Sequence, residues 1–231
     1  MNKVARQIQE NEVISRLIPL GDRAVLVRFG IQLTLQANHS AQVFADLCRK
    51  KIGHLIDGCS SNLVSVILHY DPFKISFSDL KGQIMLLMST FNVKELNTDT
   101  STHSINVQYG GEAGPCLKDV CATLGLSEQA FIKQHTAKPL NALALGFSPG
   151  FLYLGLHNES LLLPRREQVQ ENVPAGSILF AAGQSAITSR PIRTGWHVIG
   201  QTSFRNFDPS SATPITVNPG DLVHFKSVKK L

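Results

Sequence analysis

Three kinds of residue in this chain have the chemistry to handle a small polar substrate. Gln184 closes the segment Val173-Pro-Ala-Gly-Ser-Ile-Leu-Phe-Ala-Ala-Gly-Gln184, after six mainly apolar residues. A glutamine there must find hydrogen-bond partners or cost stability. It could present its amide to a ligand's carbonyl or carboxylate, or bond nearby backbone in a barrel corner. Arg165 and Arg166 follow Leu161-Leu-Leu-Pro164. An adjacent arginine pair can hold a carboxylate or phosphate through forked donors, or stand solvated on the surface. His135 ends an expected helix, where a charged imidazole gains from the helix dipole. General acid or base work near neutral pH is its alternative use.

The run Leu143-Ala-Leu-Gly-Phe-Ser-Pro-Gly-Phe-Leu-Tyr-Leu-Gly155 must position these groups. Phe147 and Phe151 bracket a Ser148-Pro149-Gly150 turn. Proline presets φ at the second turn position, and glycine accepts the positive φ of a type II turn next. Ordinary turns have polar flanks. This one lies in an apolar run, so it packs against something or lines something. Phe147, Phe151 and Tyr153 alternate and would share a face on a strand; both core and pocket wall suit that stripe. Trp196, the lone tryptophan, reads as a barrel core anchor.

Other chemistries find little support. The 231 residues carry a net charge of +5, with basic residues only in isolated pairs such as Lys50-Lys51 and Lys229-Lys230. A nucleic-acid surface would cluster them with aromatics, so no nucleic-acid partner is expected. There is no Walker A loop, no GxGxxG after a strand, no HExxH and no GxSxG. The eight histidines are scattered, so no metal site is expected. Cys48, Cys59, Cys116 and Cys121 form no CxxC pair and read as reduced thiols. Residues 1–16 are a polar leader without a signal peptide's apolar centre, and no run approaches a membrane span. A cytoplasmic location is expected.

Hydrophobic content of 43% with 17% charged residues is that of a globular chain. Residues 17–96 read β-α-β-α: a strand at 24–29, a helix at 40–56, a strand at 63–70 and a helix N-capped by Ser78. Residues 97–104 read as a linker. Beyond it come a strand at 105–109 and short helices near 116–124 and 127–135, the second capped by Ser127. From 140 onward short apolar strands alternate with Gly/Pro turns, which argues a sandwich or barrel over 105–231. The fold class is α+β.

These segments resemble the 5-oxoprolinase B-subunit family, also called allophanate hydrolase subunit 1 or the Kip-inhibitor (KipI) family. The resemblance rests on ordered segments along nearly the whole chain. They include Gly21-Asp22 with Ala24–Gly30, His69-Tyr-Asp-Pro72, Tyr109-Gly-Gly-Glu-Ala-Gly-Pro115, and Gly125-Leu-Ser127 with His135. Leu145–Gly155, Pro164-Arg-Arg166, Val173–Ser177, Gly183-Gln184, Gly195-Trp196, Phe207-Asp-Pro209 and Pro219-Gly-Asp221 follow. The resemblance implies a small α/β N-terminal domain and a cyclophilin-like β-barrel C-terminal domain. It implies ATP, with Mg, as cofactor of a complex that opens 5-oxoproline to glutamate or acts on a related amide or urea-type substrate. It also implies partners: a C-subunit homologue (allophanate hydrolase subunit 2, or the Kip antagonist) and a third 5-oxoprolinase subunit. Its other implied activity is inhibition of a sensor histidine kinase without turnover. Phe147, Gly150, Phe151, Tyr153, Pro174, Gly176 and Gln184 are then expected at the substrate, Arg165 and Arg166 at an anion, and His135 as the candidate catalytic histidine. The pattern departs at Cys116, at Ser185-Ala-Ile-Thr-Ser189 and at Arg193-Thr194, beside the expected pocket.

Overall fold

The computed structural model describes residues 17–91 and 100–231, in two compact units that divide between Thr98 and Asp99. The expected leader and positions 97–99 of the expected linker lie outside the described residues.

Among the described residues, the first unit is a four-stranded antiparallel sheet with two α-helices. Its strands are β1 (Leu17–Leu20), β2 (Ala24–Arg28), β3 (Gly58–Ser61) and β4 (Ser65–His69), in the order β1-β2-β4-β3. The sequence pattern reveals only the two central strands. The edge strands escape it because β1 carries Pro19 and β3, Gly-Cys-Ser-Ser, has no apolar alternation. Helix α1 spans Leu35–Ile52, earlier than the expected 40–56, because Thr34 Oγ1 accepts the Ala37 N–H and caps it. Helix α2 (Phe77–Thr90) is capped by Ser76 rather than Ser78; Ser76 Oγ accepts the Asp79 N–H at 3.1 Å. The α1 stripe Val43, Phe44, Cys48 and Ile52 is buried as its spacing requires. Phe29, Phe44 and Phe91 form a triad of tilted and edge-on rings in this core.

The second unit holds β5 (Thr102–Tyr109), α3 (Leu117–Leu124), α4 (Glu128–His135), β6 (Leu140–Leu145), β7 (Leu152–Gly155) and β8 (Gln170–Val173). Then come β9 (Ser177–Ala181), β10 (Gln184–Ile187), β11 (Ile192–Thr194), β12 (His197–Gln201) and β13 (Leu222–Val228). β5 begins at Thr102, so positions 102–104 are strand. Ser127 caps α4 through the Ala130 N–H at 3.2 Å. Seven strands close a barrel in the order β10-β7-β6-β13-β5-β12-β9, while β8 and β11 pair separately. The fold is therefore α+β, with the expected β-barrel in the C-terminal part.

Strand alternation sorts the barrel's two faces. Ile105, Val107, Leu152, Leu154, Ile178, Phe180, Val223 and Phe225 point inward and are fully or almost fully buried. Ser185 lies opposite both Phe180 and Leu154, so it also points inward. Gln184 and Ala186, opposite Ala181/Gly155 and Leu179/Tyr153, point outward. Part of the outward face is covered by the segment that carries the two arginines: the Ala182 N–H bonds Leu163 O, and Leu161 and Leu163 are buried.

Candidate functional site

The outward face of β7, β10 and β12 gathers several of the expected residues. Tyr153 stands opposite Ala186, so it shares a face with Gln184, its diagonal neighbour. Phe151 contacts Tyr153 with ring centroids 4.8 Å apart, and Tyr153 meets Trp196 at 6.1 Å. The Arg165 guanidinium lies over the Trp196 ring, 5.6 Å from its centroid, in cation–π geometry. Burial raises the Tyr153 pKa, and the Arg165 charge opposes that rise. Trp196 is thus buried in the hydrophobic core of the barrel unit as expected, with the Arg165 guanidinium over its ring.

Among the described residues, two buried side-chain polar atoms lack a partner: Gln184 Oε1 and His197 Nδ1. His197 Nε2 donates to Pro164 O at 3.0 Å, which leaves Nδ1 as an acceptor. Both orphans are therefore acceptors. Each costs desolvation until a donor arrives, and a ligand N–H is what such an atom lacks.

The remaining expected residues are placed elsewhere. Phe147 adopts φ +71°, rare for an aromatic residue, and is 71% exposed. It lines a cleft of about 350 Å³ with Ser148, Pro149, Arg190, Ile192 and Arg193. Pro174 lines a smaller cleft of about 180 Å³ with Gln170, Asn172 and Ser177. Gly150 (φ +75°) is required by packing, since a Cβ there would collide with Phe207 Cβ. The Gly176 N–H donates to Thr188 O at 2.8 Å. The two arginines diverge: Arg166 donates to Cys116 Sγ (3.3 Å) and Gln168 O (3.4 Å), while Arg165 covers Trp196.

The three departures from the family pattern make local ties. Cys116 Sγ sits between Arg166 and Gln170 Oε1. Thr188 Oγ1 accepts the Ser177 N–H and donates to Pro174 O, both at 2.8 Å. Thr194 Oγ1 accepts the Trp196 N–H, and Arg193 pairs with Glu171 at 3.1 Å.

His135 occupies the barrel interior. Its Nδ1 meets Tyr109 OH at 2.9 Å and its Nε2 meets Ser185 Oγ at 2.8 Å. Ser185 Oγ also meets His157 Nε2 at 2.8 Å. The two imidazoles stack at 4.6 Å, and His135 packs on Phe131 and Phe225. Burial, then the His157 charge, holds the His135 pKa well below the usual range; burial lowers that of His157 to about 4. Tyr109 and Ser185 appear in the sequence reading only within longer segments, His157 not at all, and nothing there joins them to His135. They lie 26, 28 and 50 positions from their hydrogen-bonded partners or each other, and no local spacing marks them.

This network has a pH consequence. The groups facing the two imidazoles are each other, Tyr109, Ser185 and the uncharged Phe131, Phe180 and Phe225. A histidine lowered from 6.5 to about 4 in the folded state stays neutral while its unfolded form protonates. Unfolding then takes up protons, so barrel stability is complete above about pH 6.5 and falls as pH drops toward 4. The slope reaches about 1.4 kcal/mol per pH unit for each such histidine. Urea titrations between pH 4 and 7, read by the single tryptophan, check this; His157→Gln is expected to flatten the slope, and an unchanged slope contradicts it.

The family defined as carboxyltransferase domain, subdomain C and D, matches residues 15–217. The chain belongs to this family. Within it, its relatives are 5-oxoprolinase B-subunit proteins. The protein of that name from Escherichia coli O157:H7 is 41% identical over 126 residues, 54% of this chain and 58% of that protein. Its namesake from Bacillus subtilis (strain 168) is 27% identical over 224 residues, 91% of this chain and 92% of that one. Among solved structures, TTHA0988 superposes with a TM-score of 0.77 at 29% identity, over 90% of this chain and 40% of its own length. The urea carboxylase of Kluyveromyces lactis shares the fold, with a TM-score of 0.72 at 14% identity over 92% of this chain and 21% of its own. Among the described residues no helix is long and apolar enough to cross a membrane.

Proposed function

We propose that this chain is the B subunit of an ATP-dependent amidohydrolase of the 5-oxoprolinase type, working with a C-subunit homologue and a third subunit. The observation that carries the reading is the buried, unpaired Gln184 Oε1 on the face shared with Tyr153. A lactam N–H is its complement. Arg165 supplies a positive charge beside that face for the substrate carboxylate. Phe151, Tyr153 and Trp196 supply the wall against which a small ring packs.

In this reaction class ATP, with Mg, activates the amide oxygen as a leaving group. This chain's donors do not compose a site for it. Among the described residues no group of three His, Cys, Asp or Glu side chains could hold a metal ion, and the two expected arginines point apart. We assign the nucleotide to the partner subunits. This chain's part is to bind the lactam, exclude water from its ring and hold its N–H.

Co-expression with the C-subunit homologue, followed by calorimetric titration of 5-oxoproline into the complex, tests the reading. The expected result is a stable complex that binds 5-oxoproline and loses that binding with Gln184→Ala. Binding that is indifferent to Gln184 contradicts it.

A further inference from the structure

The cleft beside Phe147 takes no part in the lactam reading. We propose that it is a docking groove for an extended, acidic segment of a partner subunit, which adds to the free edge of β11 and sets an apolar side chain against Phe147. The inference rests on the subunit reading above for the partner, the C-subunit homologue; the groove and the chemistry of its occupant follow from this chain alone.

The groove has two walls. One is the turn Phe147-Ser148-Pro149, and the other is the run 190–193, which leads into β11; about 350 Å³ lies between them. Ser189 Oγ donates to Pro149 O and lies 3.4 Å from Ser148 Oγ, so the walls are tied together at one end. β11 has a single strand neighbour, β8. No β8 residue lines the groove, so the groove runs along the other, open edge of β11. Among the described residues, no backbone hydrogen bond from outside the β8–β11 ribbon reaches positions 190–193. An open edge of this kind presents backbone N–H and C=O groups to a further strand.

Charge and shape decide what that strand must carry. Arg190 and Arg193 line the groove, and no acidic residue does. Arg190 has no carboxylate partner among the described residues. Arg193 has one, Glu171 at 3.1 Å, and both side chains of that pair are exposed. Such a surface pair is worth little, so Arg193 can exchange it for a carboxylate of the incoming segment. Phe147 supplies the apolar contact: its backbone is held at positive φ and its ring is exposed, which disfavours the free fold twice over. A free phosphate or carboxylate would use the arginines but neither the ring nor the open edge. An extended acidic segment uses all three. Phe147 also meets Phe151, with ring centroids 5.5 Å apart, and Phe151 meets Tyr153. A segment docked here therefore borders the face that carries Tyr153 and Gln184.

Calorimetric titration of the C-subunit homologue into the chain tests the groove. Arg190→Glu combined with Arg193→Glu is expected to raise Kd about tenfold or more and to flatten its dependence on salt. Phe147→Gly is expected to raise Kd about fivefold while the melting temperature holds or rises, because glycine adopts the positive φ without strain. A ring that served only the fold would lower the melting temperature and leave Kd unchanged. In the complex, hydrogen exchange is expected to slow about tenfold or more at one or more β11 amides. A complex that is indifferent to these variants, or that leaves the β11 amides exchanging as in the free chain, overturns the proposal. Should the unaltered chain bind no C-subunit homologue, the peptide acetyl-Asp-Glu-Leu-Glu-Asp-amide is titrated into nitrogen-15-labelled chain. Resonance shifts confined to residues 147–149 and 190–194 that vanish with the double charge reversal support the groove and count against the subunit reading. No shifts, or the same shifts with inorganic phosphate, overturn the groove as well.

Discussion

Gln184→Ala is expected to lower kcat/KM of the assembled enzyme for 5-oxoproline by ten- to a hundredfold, with no fall in the melting temperature of the chain. The two halves of that outcome have one cause. The Gln184 carbonyl is buried without a donor in the free protein, so it contributes nothing to folding and carries its desolvation cost unrelieved. Removing it leaves stability level or raised. In the complex the same atom meets a ligand N–H, and removing it leaves that N–H buried and unsatisfied at a cost of about 1–3 kcal/mol, a range that contains the stated loss in rate. A glutamine that served only as a barrel corner would give the reverse: a lower melting temperature and kinetics that change little. Gln184→Glu sharpens the test, because a carboxylate there still accepts a hydrogen bond but sets a negative charge near the substrate's own.

The largest stability effect is expected at Gly114. A Cβ on this residue would overlap the carbonyl oxygen and carbon of Ile199 and lie 2.7 Å from Gly200 N. All three are backbone atoms of β12, and the approach is built into the barrel wall: the Cys116 N–H bonds Val198 O and the Gly110 N–H bonds Ile199 O. Gly114→Ala must therefore push α3's entry loop off the strand. A loss above about 4 kcal/mol is expected, enough to leave the barrel unfolded or the chain insoluble. Gly125→Ala is the matched control. Gly125 ends α3 at φ +66° with no atom within 4 Å of a new Cβ, so only the left-handed backbone is strained, at about 1–2 kcal/mol. Circular dichroism melts of the two variants separate crowding from conformation. Equal losses would contradict the close approach.

Local signals make much of the fold legible. Apolar periodicity locates α1 and α2, Ser127 caps α4 as expected, and the Gly/Pro-punctuated strands announce a barrel. Edge strands are hidden because β1 and β3 bury too little to alternate. The α1 start is hidden because its first turn, Leu35-Gln-Ala-Asn38, lacks the apolar spacing that its Thr34 cap makes unnecessary. The outward site is half legible. The oddity of a glutamine after an apolar run does correspond to an unpaired amide oxygen, and Tyr153 does stand on the same face. The divergence of Arg165 and Arg166 is not readable, because it depends on Cys116 and Trp196, far away in sequence. The inward network is not readable either. Its members become neighbours only when β5, α4 and β10 close together, so the sequence offers His135 as a candidate but not its partners Tyr109, Ser185 and His157.

The claim that most needs testing is that this chain works within a lactam-opening enzyme. The direct measurement is glutamate and ADP formation from 5-oxoproline and ATP by the purified C-subunit homologue and third subunit, with and without this chain. The expected result is equimolar glutamate and ADP that appear only when the chain is added and fall ten- to a hundredfold when Gln184→Ala replaces it. Product formation that is the same with or without the chain, or none with all three subunits present, would contradict it.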